Sequence, residues 1–176
     1  MTTKNKAIVI GVPLKNGANT IRRAVESILL QENVTRDLIV FIANDNSQDN
    51  WKEQIIDFID KSNVIIENVN FGTAHKTRNF INNYIREKIP QAEYVGRLDA
   101  DDYLVDNFVI SKIEQIIDSN NPDIILAGNK LSINNEIIER INRANPLLLE
   151  NDFLKDKLFK MSNGIAEGEL PSCNTF

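Results

Sequence analysis

The feature that most constrains this chain is a repeated alternation: a short run rich in β-branched and aliphatic residues, a polar cluster, then a stretch with helical periodicity. The runs are AIVIGV (Ala7 to Val12), LIVFIA (Leu38 to Ala43), VIIE (Val64 to Glu67) and YVGRL (Tyr94 to Leu98). Apolar runs this short and this continuous read as strands covered on both faces, as in a parallel sheet. Between them, TIRRAVESILLQ places Ile21, Ala24, Val25, Ile28 and Leu29 on one helical face, with Thr20 at the N-cap position. WKEQIIDFIDK predicts a second helix burying Ile55, Ile56 and Ile59. A third, from about Ala74 to Lys88, buries Thr77, Ile81 and Ile85, and a fourth, from about Asp106 to Ser119, turns Val109, Ile113, Ile116 and Ile117 inward. DIILAG, from Asp123 to Gly128, is expected as a fifth strand. After it, KLSINNEIIERI predicts a hairpin and NPLLLENDFLKDKLFK a short amphipathic helix.

Regular strand and helix alternation gives an α/β fold, a three-layer α/β/α arrangement with a mostly parallel central sheet. At 176 residues we expect a single domain, because two would each have a small core. In such sheets ligands bind outside the carboxyl ends of the strands. The polar clusters PLKNG, NDNSQDN, NVNFGTAHKTRN and DADD all fall there, which locates a site before any chemistry is assigned.

The last cluster raises a physical question, because Asp99, Asp101 and Asp102 crowd three carboxylates into four positions. Like charges that close oppose one another's ionisation. One account makes Asp101, Asp102 and Asp106 solvated turn residues capping the next helix, whose dipole favours negative charge. The other notes that residues 99 and 101 point the same way in extended chain, so their carboxylates converge. Converging carboxylates suit a hard divalent cation, Mn2+ or Mg2+, that keeps positions open for phosphate oxygens.

Charge and composition narrow the partners. A net charge of -5 argues against nucleic acid, and no apolar run approaches the roughly 20 residues of a membrane span. The lone cysteine, Cys173, excludes an intrachain disulfide and reads as a small apolar residue. His75 is the only histidine and has no Ser or Cys partner by motif, so it reads as a loop or first-turn residue, and Trp51 reads as core.

Taken in order, GVPLKNGANTIRRAVESILLQ, ANDNSQDN, NFGTAHKTRNF and RLDADDYL resemble the nucleotide-binding half of a family 2 glycosyltransferase of the GT-A fold, from about Ile8 to Leu104. The resemblance implies that Pro13 and its loop line the nucleotide base, that Asn44 and Asp45 contact the base, and that Arg78 lies close to the nucleotide. It also makes DADD a DxD motif in which Asp99 approaches ribose or metal, Asp101 binds the metal and Asp102 supports it. Residues 1–128 would form the nucleotide-binding half and 129–176 the start of an acceptor-side half. Two positions depart from the family's usual DDGS: Asn44 replaces a carboxylate and Asn46 a glycine. The aromatic residue common near PLKN is absent.

The activity so implied is metal-dependent, inverting transfer of a sugar from a nucleotide-diphosphate donor, a UDP-sugar, to a hydroxyl of a glycan or lipid-linked acceptor in polysaccharide or glycan biosynthesis. A cytoplasmic location is expected, at the inner face of the membrane, with peripheral membrane contact supplied by further sequence. The general base is expected beyond Phe176, as in a C-terminally truncated chain, with Glu167 and Glu169 lining an acceptor loop. A nucleotidyltransferase would carry a Gly-rich loop after the first strand, whereas PLKNGANT has a single glycine. The alternative function is a non-catalytic nucleotide-sugar-binding domain.

Overall fold

The computed structural model describes residues 6–125, 127–133 and 136–142. The chain divides into two compact units, Met1–Asp123 and Ile124–Phe176. In the first, strands β1 (Ala7–Leu14), β2 (Asp37–Asp45), β3 (Val64–Val69) and β4 (Ala92–Arg97) form one sheet in the order β3-β2-β1-β4. Every pairing in it is parallel, so the segments between strands must cross the sheet, and helices α1 (Ile21–Leu29), α2 (Trp51–Gln54), α3 (Ala74–Lys88) and α4 (Val109–Asn120) belong to those crossings and to the stretch after β4. The result is the expected parallel sheet flanked by helices.

β1 occupies the centre. Ala7, Ile8, Val9, Ile10 and Val12 are fully buried, and alternate residues face opposite layers. Ala7 and Val9 join Ile39, Phe41 and Ala43 of β2 in a core with Ile81 and Ile85 of α3. At Gly11 the helix comes so close that a Cβ would stand 2.5 Å from Cγ2 of Ile81. β4 leaves the ladder at Arg97, opposite Gly11, with Leu98 N–H donating to the Gly11 carbonyl at 3.1 Å. Pro13 lies beyond that point and pairs only with Ala43 of β2, a position where a missing N–H is tolerated.

α3 runs from Ala74 to Lys88 with Thr77, Ile81 and Ile85 buried, as its periodicity predicts. Three other elements differ. The second helix is a single turn that buries Trp51, and the segment after it buries Ile55 and Phe58 and leaves Ile56 exposed. α4 is rotated from the expected face: Ile110, Ser111, Ile113, Glu114 and Ile117 are buried, while Ile116 is exposed. The cause is Glu114, whose carboxylate accepts N–H bonds from Thr35 at 2.9 Å and Arg36 at 2.8 Å. Those donors need a buried acceptor and pull Glu114 inward. Arg36 also pairs with Glu93 at 2.7 Å and Asp118 at 2.7 Å, and these bonds raise its pKa beyond the ordinary guanidinium value.

The third difference concerns DIILAG. Among its described residues, Ile124, Ile125, Ala127 and Gly128 are not strand, and Ile124 is exposed. Without a sheet partner an apolar run has no ladder to join. The second unit contains the expected hairpin, β5 (Asn129–Ile133) antiparallel to β6 (Glu136–Asn142). The amphipathic helix expected within NPLLLENDFLKDKLFK, like Cys173, Glu167 and Glu169, lies outside the described residues.

Gly11→Ala should destabilise the fold by about 1–3 kcal/mol, because the β-branched Ile81 cannot swing clear and overpacking shifts α3. Urea denaturation checks this; an unchanged midpoint would show that α3 does not depend on the close approach.

Candidate functional site

Strand order fixes where the site lies. β2 and β3 extend from one side of β1 and β4 pairs on the other, so the chain switches direction between β1 and β4, where open α/β sheets form a crevice. A cleft of about 380 Å³ occupies that place, lined by Pro13 at the end of β1, Lys15 and Gly17 after it, Asp45 at the end of β2, Arg78 of α3, and Asp99 and Asp101 after β4.

The loops around it hold one another. Asn16 N–H donates to Ser47 Oγ at 2.9 Å, Gln48 N–H to Asn16 Oδ1 at 2.8 Å, and Ala18 N–H to Asp49 Oδ2 at 2.7 Å. Asn16 and Asn46 both adopt φ of 52°, a left-handed conformation that asparagine tolerates better than most residues. This accounts for Asn46 where a glycine is usual: the turn needs positive φ, and asparagine supplies it.

Asp45 is almost wholly buried. Its Oδ1 accepts the N–H groups of Phe71 at 2.6 Å and Gly72 at 3.1 Å, and its Oδ2 lies 3.7 Å from Lys15 Nζ. Burial pushes its pKa up, but the two N–H groups and the lysine charge outweigh it and hold the carboxylate below its ordinary value. Asp45 therefore anchors the turn after β3, where Gly72 has φ of 70°, and turns its other oxygen toward Lys15.

Asn44 is also buried, but it does not line the cleft. Its Nδ2 donates to Asn68 Oδ1 at 2.8 Å and its Oδ1 accepts from Ser47 N–H at 3.2 Å, so the amide joins β2 to β3 and closes the turn. Pro13, Asp45, Arg78, Asp99 and Asp101 come together; Asn44 and Asp102 stand apart from the cleft wall. Lys15 was missed from the sequence, where it was legible only as part of a polar loop. His75 is exposed in the first turn of α3.

Arg78 donates to Asp99 Oδ2 at 2.8 Å, and Arg97 Nε lies 3.6 Å from Asp99 Oδ1. Asp99 Oδ1, Arg78 Nε and Arg97 Nε are buried atoms without a hydrogen-bond partner among the described residues. Buried polar atoms are ordinarily satisfied, so these are groups with capacity to spare. Asp102 titrates above its ordinary value, first through lost hydration and then through the negative charges of Asp101 and Asp99. The crowding inferred from DADD is real in three dimensions.

Among the described residues no three His, Cys, Asp or Glu side chains form a metal cluster. A cation held by one or two carboxylates with the rest of its ligands from phosphate needs no such cluster. Asp101, open to the cleft, and Asp99 Oδ1 are hard oxygen donors of the kind Mn2+ or Mg2+ takes, so the residues fit.

A parallel four-stranded sheet flanked by helices, with its crevice at the β1/β4 switch point, matches the GT-A fold. The chain belongs to Glycosyl transferase family 2, whose profile matches residues 9–166. It is 35% identical over 102 residues to uncharacterized glycosyltransferase MG025 of Mycoplasma genitalium, covering 55% of this chain and 32% of that protein. The chain thus spans about a third of that relative's length. Its fold is similar to S. aureus TarS 1–349 in complex with UDP, with TM-score 0.59 and 24% identity over 77% of this chain and 38% of that one. It is also similar to the mannosyltransferase PcManGT from Pyrobaculum calidifontis in complex with GDP-Man and Mn2+, with TM-score 0.55 and 18% identity over 75% of this chain and 37% of that one.

Asp45→Ala should cost about 1–3 kcal/mol, because the Phe71 and Gly72 N–H groups lose their acceptor. The lowered pKa of Asp45 sets the pH window. Its contribution is complete above the unfolded value of about 4 and fades as pH falls through the lower folded value. Urea titrations at pH 7 and pH 3 should show the gap between wild type and Asp45→Ala narrowing in acid; a gap that widens would contradict this assignment.

Proposed function

We propose that this chain binds a nucleotide-diphosphate sugar in the β1/β4 cleft and that the protein transfers the sugar to an acceptor hydroxyl. The observation that carries the reading is convergence. Asp45, Arg78, Asp99 and Asp101, spread across the sequence, line one cleft at the switch point of a GT-A sheet. The complexes of similar folds with UDP, UDP-GlcNAc and GDP-Man support a nucleotide-sugar donor, and we take UDP as the carrier. Pro13 at the end of β1, the following loop with Lys15, and Asp45 receive the base and ribose. Arg78, already charge-paired with Asp99, lies beside the diphosphate.

Asp101, assisted by Asp99 and with Asp102 in support, holds Mn2+ or Mg2+. Bound there, the ion supplies Lewis-acid neutralisation of the departing diphosphate. Arg78 adds a fixed positive charge at the same end, where preorganised charge lowers the barrier to leaving-group departure. The acceptor hydroxyl attacks the anomeric carbon on the face opposite the diphosphate, forming the new C–O bond with inversion as the bond to the diphosphate breaks, and its proton passes to a base outside the described residues, in the building of a polysaccharide or glycan. No helix among the described residues is long and apolar enough to cross a membrane; we place the acceptor at a membrane face, reached through other parts of the protein.

A second reading, a nucleotide-sugar-binding domain without turnover, draws on the cleft itself. Among the described residues its carboxylates are Asp45, Asp99 and Asp101; the donor reading uses all three, and none of these is left to take the acceptor's proton.

Calorimetric titration with UDP, GDP and CDP, with and without Mn2+, tests the proposal. UDP should bind more tightly with Mn2+, and Asp101→Ala should weaken the Mn2+-dependent binding by about tenfold or more, equivalent to about 1.4 kcal/mol. Binding indifferent to both metal and mutation would overturn the metal assignment. Donor hydrolysis by the chain with metal would separate transfer chemistry from binding alone.

A further inference from the structure

We infer that one face of α1 is a positioning device for the carboxylate loop. One turn bond, from the Asp102 N–H to the Asp99 carbonyl at 2.9 Å, ties the start of the carboxylate loop together, but from Ala100 to Phe108 there is no helix or strand whose ladder could fix the rest. What holds it is a polar stripe on α1. Arg23, Ser27 and Gln31, the last just past the helix end, stand four residues apart, the spacing that aligns side chains on one helical face.

Each member grips the loop at a successive point. Arg23 sits 4.3 Å from the centre of the Tyr103 ring and donates to the Asp101 carbonyl at 3.3 Å. Ser27 Oγ accepts the Leu104 N–H at 3.0 Å and donates to Ala24 O at 2.8 Å. Gln31 Nε2 donates to the Asp106 carbonyl at 2.7 Å, and its Oε1 accepts the Ile110 N–H at 2.9 Å. Glu32 N–H then donates to the Asn107 carbonyl at 2.7 Å. The backbone from 101 to 110 is thus templated by a helix more than 70 residues away in sequence.

The hydrogen bonds from the stripe to the loop end on backbone, so they fix where the Asp101 and Asp102 side chains start without occupying those carboxylates. Preorganisation of this kind lowers the ordering cost of binding. Resting on the donor site proposed above, the inference is that Arg23, Ser27 and Gln31 set how well the loop accepts a metal-bound diphosphate, without touching the ligand.

The test measures Mn2+-dependent UDP binding by calorimetry, metal-free UDP binding, and hydrogen exchange of the Leu104 amide in the metal-free chain. Ser27→Ala should speed Leu104 exchange and weaken Mn2+-dependent UDP binding by about fivefold or more, with metal-free binding unchanged. Ser27→Thr, which keeps the hydroxyl, should restore both. Arg23→Ala should act in the same direction and, being exposed, stays informative should Ser27→Ala not fold. Arg22→Ala is the control for general weakening of α1, since Arg22 bonds Asp57 and Gln54 instead of the loop; it should leave UDP binding as in wild type. Faster Leu104 exchange with unchanged Mn2+-dependent binding would overturn the inference and leave the donor site standing. No Mn2+-dependent binding by the wild-type chain would remove the donor reading and this inference with it.

Discussion

The burial of β1 on both faces is the constraint from which the rest follows. A strand with no access to water must place its N–H and C=O groups in ladders on either side, and β1 finds β2 on one flank and β4 on the other. Because both neighbours are parallel to it, their carboxyl ends open at the same edge. Asp45, at the end of β2, and Asp99, just past β4, arrive beside the loop of Pro13 and Lys15 without any sequence proximity. Gly11 lets α3 approach this strand closely, which brings Arg78 to the same edge.

Around that edge the structure separates rigid parts from parts with unspent bonding capacity. The turns after β1, β2 and β3 are laced together through Asn16, Ser47, Asp49 and Asp45, and the loop after β4 is laced to α1. Within this frame Asp99 Oδ1, Arg78 Nε and Arg97 Nε lack hydrogen-bond partners among the described residues, and Asp102 is crowded by like charge. Departures from local satisfaction of this kind concentrate where a protein acts. The proposed divalent cation and diphosphate would answer both: the cation would relieve the crowded carboxylates, and phosphate oxygens would accept from the Arg78 guanidinium at the cleft.

The sheet was legible in the sequence because its signal is local. Runs such as AIVIGV are covered on both faces, and α3 buries a stripe at plain helical spacing, so both could be read from a few neighbouring residues. The errors fell where distant partners decide. Glu114 looks like a surface residue until Thr35 and Arg36 supply its donors, and that rotates α4 away from Ile116. Ile56 carries an apolar side chain, yet α2 ends after one turn and leaves it exposed. In the site, Asp45, Arg78, Asp99 and Asp101 followed from motif and strand end. The inward duty of Asn44, which bonds the Asn68 side chain and the Ser47 N–H, and the grip of Arg23, Ser27 and Gln31 on a remote backbone did not, because such hydrogen bonds leave no periodic trace.

The central claim is that the acidic end of β4 holds a divalent cation beside a nucleotide diphosphate. Paramagnetic broadening of backbone amide signals by Mn2+ in the presence of UDP tests it most directly, since the effect is centred on the ion. The account predicts that Ala100, Asp101 and Asp102 broaden first, followed by Lys15 and Arg78 across the cleft, while the distant β3 start at Val64 stays sharp. Broadening centred elsewhere, or none at this edge at saturating UDP, would contradict it.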